Sequence, residues 1–250
     1  MSYRLGTITY QKTFQQFYST DYYAKRLIEF TSIMTNENEV ISVLEPTAGT
    51  GNLIKYLYNN YPNKGNLSIF ACDICPTNRK LLKSLLETNN DVLYNEPDFL
   101  KLENEITSRG DKFDYIIMNP PFHLRIEEFS ESFTINGGDW PYDVYDIDFI
   151  LEARKYLKPN GELVSSLYTS HLNRDLIKLN GWKCFLLERS SLDWNYMQDV
   201  HDHWKSAFLD SNYEIELVDM DEEVQYKDNS YQGINYKRTV PCTIMKIKRL

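Results

Sequence analysis

The sequence predicts an α/β fold: a mostly parallel sheet of seven strands, with an antiparallel edge strand and helices on both faces. Two observations carry this. Short apolar runs alternate with helical periodicity along most of the chain, the pattern of parallel strands joined by crossover helices. The last two apolar segments have no helical pattern between them, so they pair antiparallel. With 250 residues the chain is long enough to bury a full core without staples. No internal repeat or linker-like stretch divides it, and 1–250 is expected to form a single domain.

Tyr23, Leu27, Phe30 and Met34 recur at helical spacing after two capping candidates, Ser19 and Thr20. Val40–Leu44 reads as a buried strand, followed by a glycine turn and the stripe Leu53, Leu57 and Tyr61. Leu67–Cys72 is the second strand, and Leu81, Leu82, Leu85 and Leu86 mark the next helix. Val92–Tyr94 is a short third strand, and Phe113–Met118 a fourth. Ile147, Ile150, Ala153, Tyr156 and Leu157 outline a helix that Lys158-Pro159-Asn160-Gly161 stops. Glu162–Tyr168 is the fifth strand, and Tyr213–Met220 and Val240–Ile247 close the chain.

Composition narrows the function. Hydrophobic residues make up 42% and aromatic residues 14% of the chain, which excludes collagen-like and largely disordered classes. Four cysteines in this length do not make a disulfide scaffold. No apolar run reaches the ~20 residues that span a membrane, and Met1-Ser2-Tyr3-Arg4-Leu5 opens no stretch of signal-peptide length. A cytoplasmic protein without membrane contact is expected. The net charge of −9 speaks against a protein that grips nucleic acid over its whole surface. It is unevenly spread, however. Acids crowd 214–223, whereas Lys227, Lys237, Arg238, Lys246, Lys248 and Arg249 follow; they read equally as solvated strand ends or as a phosphate-contacting patch.

Sheets of this kind bind ligands beyond the carboxyl ends of their strands, and the chemically informative residues fall there. The first strand runs into Glu45-Pro46-Thr47-Ala48-Gly49-Thr50-Gly51, small residues that let a backbone turn sharply and a ligand come close. Alone this is an ordinary strand–helix turn, and the missing third glycine argues against a dinucleotide. Asp73, followed by Ile74, stands at the end of the second strand, 22 residues after Gly51, where an acid in a βαβ unit accepts ribose hydroxyls. After the third strand, Asp98 offers an acceptor for an adenine amine and Phe99 a face for its ring, while Glu45 suits an ammonium. Three carboxylates without Lys or Arg fit a cationic ligand with ribose and adenine rather than a phosphate.

The fourth strand ends in Asn119-Pro120-Pro121-Phe122. Two prolines remove two backbone donors and leave carbonyls that only accept. Asn119 adds an amide oxygen and Phe122 a flat apolar face. The lone pair of a planar amine is delocalised, so it is a poor nucleophile. Accepting both of its N–H groups at the Asn119 oxygen and the Pro120 carbonyl favours a pyramidal nitrogen that can attack a sulfonium methyl, without a strong base.

With these residues the sequence resembles the S-adenosylmethionine-dependent adenine-N6 DNA methyltransferases, which carry an [Asn/Asp]-Pro-Pro-[Tyr/Phe/Trp] motif; the resemblance runs from about Phe17 to the C-terminus. It implies a Rossmann-like class I methyltransferase fold. It also implies that S-adenosylmethionine is held by Phe17, Tyr18 and Ser19, by Glu45, Pro46, Ala48, Gly49 and Gly51, by Asp73 and Ile74, and by Asp98 and Phe99. The catalytic set it implies is Asn119, Pro120, Pro121 and Phe122, with a flipped adenine stacked on Phe122. The usual Thr-Pro of the N-terminal motif is Ser19-Thr20 here.

No separate recognition domain is evident. The stretches 123–145 and 190–212, with His123, Arg125, Trp140, Trp194, Tyr196 and Trp204, could serve as substrate-recognition insertions or as local core. DNA is the expected partner; RNA, a protein glutamine amide, a partner protein, a homo-oligomer or a non-catalytic subunit remain alternatives. No metal is expected: Cys72-x-x-Cys75 lacks a second pair at zinc spacing, and His201-x-His203 lacks a third ligand. A Pro-Cys nucleophile for cytosine C5 methylation is ruled out because Asn119 occupies the position after the fourth strand.

Overall fold

In a computed structural model of the chain, the described residues are 18–35, 39–86, 90–121, 123–124, 144–168, 210–219, 224–228, 236–240 and 242–250. They form β1 (Tyr18–Ser19), α1 (Asp21–Glu29), β2 (Ile41–Glu45), α2 (Asn52–Asn60), β3 (Leu67–Ala71), α3 (Pro76–Leu85) and β4 (Val92–Leu93). There follow α4 (Glu103–Arg109), β5 (Phe113–Met118), β6 (His123–Leu124), β7 (Val144–Tyr145), α5 (Asp146–Arg154) and β8 (Leu157–Tyr168). The chain closes with β9 (Tyr213–Asp219), β10 (Val224–Asp228), β11 (Tyr236–Val240) and β12 (Cys242–Arg249).

Seven strands make the main sheet, in the order β4-β3-β2-β5-β8-β12-β9. The first five are parallel to one another. The closing pair lies at the far edge, with β12 reversed against both β8 and β9. Order reverses between β2, which pairs with β3, and β5, which pairs with β2 from the other side; a crevice is expected at that point.

Alternate residues of each central strand feed two hydrophobic cores. Val43, Tyr115, Ile117 and Val164 pack with Leu27, Ile54, Leu57 and Leu82 of α1, α2 and α3. Leu44, Ile116, Met118 and Leu163 pack instead with Ile106 and Ile150 of α4 and α5. Because both faces are buried, β2 and β5 are mostly apolar rather than alternating, interrupted at Ser42 and Asp114, which bond each other.

The helix boundaries have local causes. Thr20 caps α1, its hydroxyl accepting from the Tyr23 N–H at 3.2 Å. That helix stops at Glu29; Phe30 is its C-cap and Met34 belongs to a separate 3₁₀ turn, Ile33–Thr35, so the stripe extended one turn too far. Pro76, whose fixed φ suits a first helical position, opens α3. Near the start of β8, Lys158-Pro159-Asn160-Gly161 turns within the strand: Phe113 pairs with Leu157, yet Tyr115 pairs with Glu162, and Asn160 takes φ 62°.

Two small sheets complete the fold. Strands β1, β10 and β11 form an antiparallel trio, and β6 pairs with β7. Among the described residues no helix is long and apolar enough to cross a membrane.

Candidate active site

Glu45, the last residue of β2, leads into a loop tied to the end of β3. The Cys72 N–H donates to the Glu45 carbonyl (3.1 Å) and the Ala48 N–H to the Cys72 carbonyl (2.9 Å). Gly49 and Gly51 take left-handed backbone, φ 56° and 73°, which L side chains rarely adopt. At Gly51 space is lacking too: a Cβ would lie 2.4 Å from Leu85 Cδ2. That glycine lets α2 start close against α3. Pro46 and Ala48 are buried.

The Glu45 side chain is only 4% exposed, and its Oε2 has no hydrogen-bond partner in the protein. Burial foremost, and then the neighbouring charge of Asp73, push its carboxyl well above the usual range. The buried Thr47 hydroxyl likewise lacks a partner. Orphaned buried polar atoms are costly, so two of them in one loop beneath a strand end mark a place where a polar ligand fits.

Asp73 is buried at the end of β3, where its carboxylate braces the loop. Oδ2 accepts from the Gly49 N–H (2.7 Å), and Oδ1 from the Cys75 N–H (2.9 Å) and the Asn78 amide (3.0 Å). A carboxylate has about four acceptor sites, so about one remains for a ligand. Burial raises its pKa to about 6 against these donors. Ile74 beside it is half-buried.

Asp98 caps a 3₁₀ turn, accepting from the Leu100 N–H at 3.1 Å, with the Lys101 ammonium 3.9 Å away. Burial sets its pKa at about 6 too. Phe99 is buried and stands edge-on to Tyr156, ring centroids 6.3 Å apart.

Asn119 follows the last residue of β5. Its Oδ1 accepts from the Ser166 hydroxyl on β8, and its Nδ2 donates to Ser19 Oγ at 3.4 Å. The Ser19 carbonyl in turn accepts from Asn52 Nδ2 at the start of α2 (2.7 Å). The Asn119 amide thus touches β8 and the N-terminal motif directly, and the N-terminal motif in turn is bonded to the start of α2. Pro120 is buried and Pro121 half-buried.

Register places these groups on one edge of the sheet. Glu45 is level with Ala71, and Ala71 with Leu93, while β5 runs two residues past Ile116, the partner of Leu44, before Asn119. Phe17 and Phe122 lie outside the described residues, as do 125–143 and 190–209 of the two insertions, Cys184, His201 and His203. Tyr18 is placed as a strand residue opposite Lys227. Cys72 and Cys75 are buried free thiols; Cys72 donates to the Glu96 and Pro97 carbonyls.

Sequence reasoning missed Asn52, Asn78, Ser166 and the β10–β11 hairpin that docks on β1. The serine and the asparagines sit in no recognisable spacing. The Lys227 and Lys237–Arg238 pattern was visible, but its pairing was not.

No family model and no curated protein sequence matches the chain. Solved structures do. Over 99% of this chain, and 48% of the other, the fold is similar to the methyltransferase subunit of a type I restriction-modification system from Streptococcus thermophilus (18% identity, TM-score 0.60). A putative RNA methyltransferase from Pyrococcus horikoshii matches 95% of this chain and 89% of its own length (12% identity, TM-score 0.53). A putative class I S-adenosylmethionine-dependent methyltransferase from Listeria monocytogenes matches 93% and 60% (15% identity, TM-score 0.52). The chain spans about half the length of the Streptococcus subunit. The likeness is one of fold, the Rossmann-like class I methyltransferase architecture.

Proposed function

We propose that this chain transfers a methyl group from S-adenosylmethionine to the N6 amine of adenine in DNA, acting on a base flipped out of the duplex. The observation that carries the reading is the amide of Asn119, fixed at the end of β5 and joined through Ser19 and Asn52 to the glycine loop.

The residues present fit the cofactor. Glu45, with an unpartnered buried oxygen, suits the ammonium of its methionine part. Asp73 has an acceptor site for the ribose and Asp98 one for the adenine amine, with Pro46, Ala48, Gly49, Gly51, Ile74 and Phe99 around them and Phe17, Tyr18 and Ser19 completing the set. When bound, S-adenosylmethionine supplies an electrophilic methyl group on a sulfonium. Asn119 Oδ1 and the Pro120 carbonyl accept the two N–H groups of the target amine and turn its lone pair outward. Phe122 stacks on the flipped base. None of these groups is a strong base, so the amine proton passes to solvent.

Two further facts support a nucleic-acid substrate. Among similar folds are a restriction-modification subunit and a putative RNA methyltransferase. The trio of short strands also sets Lys227 opposite Lys237, and Ser19, Tyr226 and Arg238 in one row. We assign target recognition to the two insertions, with a partner protein or a second copy as alternatives. RNA is the second reading, favoured by the 89% of the Pyrococcus fold that is covered.

Supplying methyl-tritiated S-adenosylmethionine with DNA, RNA and protein decides between them. The expected label is N6-methyladenine in digested DNA; label in RNA or in glutamine replaces the substrate, and no label in any polymer refutes the activity. Asn119→Ala is expected to abolish turnover with cofactor affinity kept.

A further inference from the structure

We infer that Ser166 is a positioning residue whose hydroxyl holds the carboxamide of Asn119 in its working orientation, with Ser19 steadying the other end. This rests on the methyl-transfer reading above and adds a residue to it. An asparagine side chain presents oxygen and NH₂ in nearly the same shape, yet only the oxygen can accept from a target amine. The partners that hold this side chain set where that oxygen stands.

The sheet supplies one such partner. Strands β5 and β8 are parallel, with Met118 opposite Ser165, so Ser166 lies level with Asn119 one strand away. Ile244 of β12 pairs with Ser166 from the other side. Ser166 therefore sits between two strands, wholly buried at 0% exposure, where its hydroxyl finds no water. It donates to Asn119 Oδ1. With the oxygen so engaged, Nδ2 points to Ser19 Oγ, on the strand that leads into α1.

A carbonyl oxygen has two lone pairs. The Ser166 hydroxyl donates along one of them. Because Ser166 touches Asn119 and not the reacting atoms, its effect is on rate rather than on cofactor binding. Its partners on the sheet are main-chain neighbours fixed by register, so the amide is set before substrate arrives.

The test compares Ser166→Ala, Ser166→Cys and Ser166→Thr in the full chain, by steady-state kinetics, S-adenosylmethionine calorimetry and thermal melting. Removing the donor, in Ala and in Cys (similar in size but a weak donor), is expected to lower kcat tenfold to about a hundredfold, with KM and Kd for the cofactor unchanged within about twofold. Thr, which keeps the hydroxyl, recovers most of the rate. Full-rate turnover by folded Ala and Cys variants, or a loss of cofactor affinity that matches the loss of rate, overturns the inference. If the Thr variant fails to fold, the Cys variant decides alone. Turnover by Asn119→Ala, or failure of the wild-type chain to bind the cofactor, overturns the underlying reading instead, so the two failures are distinguishable.

Discussion

Asp73 and Asp98 carry the pH behaviour of the candidate site together with Glu45, whose carboxyl is pushed well above the usual range by burial and the charge of Asp73. Burial is the leading cause in both aspartates, raising each carboxyl from near 4 to about 6. The folded protein therefore binds these protons more tightly than the unfolded chain. Ionising the two groups costs stability: the cost is absent below about pH 4 and fully present above about pH 6. A ligand that donates hydrogen bonds to the charged carboxylates offsets that cost and expels protons when it binds near pH 6. Affinity for S-adenosylmethionine is accordingly expected to fall as pH drops from 7.5 to 5.5. Calorimetry at pH 6 in two buffers of different ionisation enthalpy should show net proton release, reduced in Asp73→Asn. A flat affinity across that range would mean that neither acid meets the ligand. Both acids could be picked out in the sequence, because a strand end followed by an acid is a local pattern. That Asp73 already braces Gly49, Cys75 and Asn78 could not, since those donors come from a loop and a helix brought together by folding.

At the level of elements, strands β3 and β5 and helix α2 were legible because their apolar runs and stripes are buried on the faces the spacing implies, whereas Val40 ahead of β2 and Leu81 in the α3 stripe are exposed and only Leu82 of that stripe is buried. The three-stranded β1-β10-β11 sheet was not. Its strands are short and polar, and its register joins Tyr18 to Lys227, a pairing that no local signal announces. Two hydrogen bonds at Ser19 tie it to the site: β1 is two residues long, its Ser19 carbonyl accepts from the Asn52 amide of α2, and its Ser19 hydroxyl accepts from Asn119. One such hydrogen bond contributes about 1 kcal/mol, a large share of what a two-residue strand can hold. Asn52→Ala is therefore expected to speed amide hydrogen exchange in β1, β10 and β11 while the seven-stranded sheet keeps its protection. Unchanged exchange in β10 and β11 would show that the trio is held by other contacts.

The molecule as a whole carries 36 acids against 27 bases, so on the proposed reading the phosphates of a DNA substrate would be gripped locally. Among the described strands, β10 and β11 carry Lys227, Lys237 and Arg238 against Asp228, with Lys227 opposite Lys237 in the register. Like charges directly opposite destabilise an antiparallel pair, and a bound phosphodiester would relieve that repulsion. The row Ser19–Tyr226–Arg238 puts the same hairpin two strand spacings, roughly 10 Å, from a residue that contacts Asn119. For such a patch the logarithm of the DNA association constant falls linearly with the logarithm of salt, by about 0.9 per phosphate neutralised. Replacing both lysines, Lys227→Gln and Lys237→Gln, should flatten that slope by about 2 and weaken binding most at low salt. Cofactor affinity should stay unchanged, because neither lysine belongs to the cofactor set. The comparison is made by fluorescence anisotropy with a labelled duplex between 50 and 200 mM salt. A slope equal to that of the wild-type chain would place the phosphate contacts elsewhere, with the two insertions as the next surface to probe.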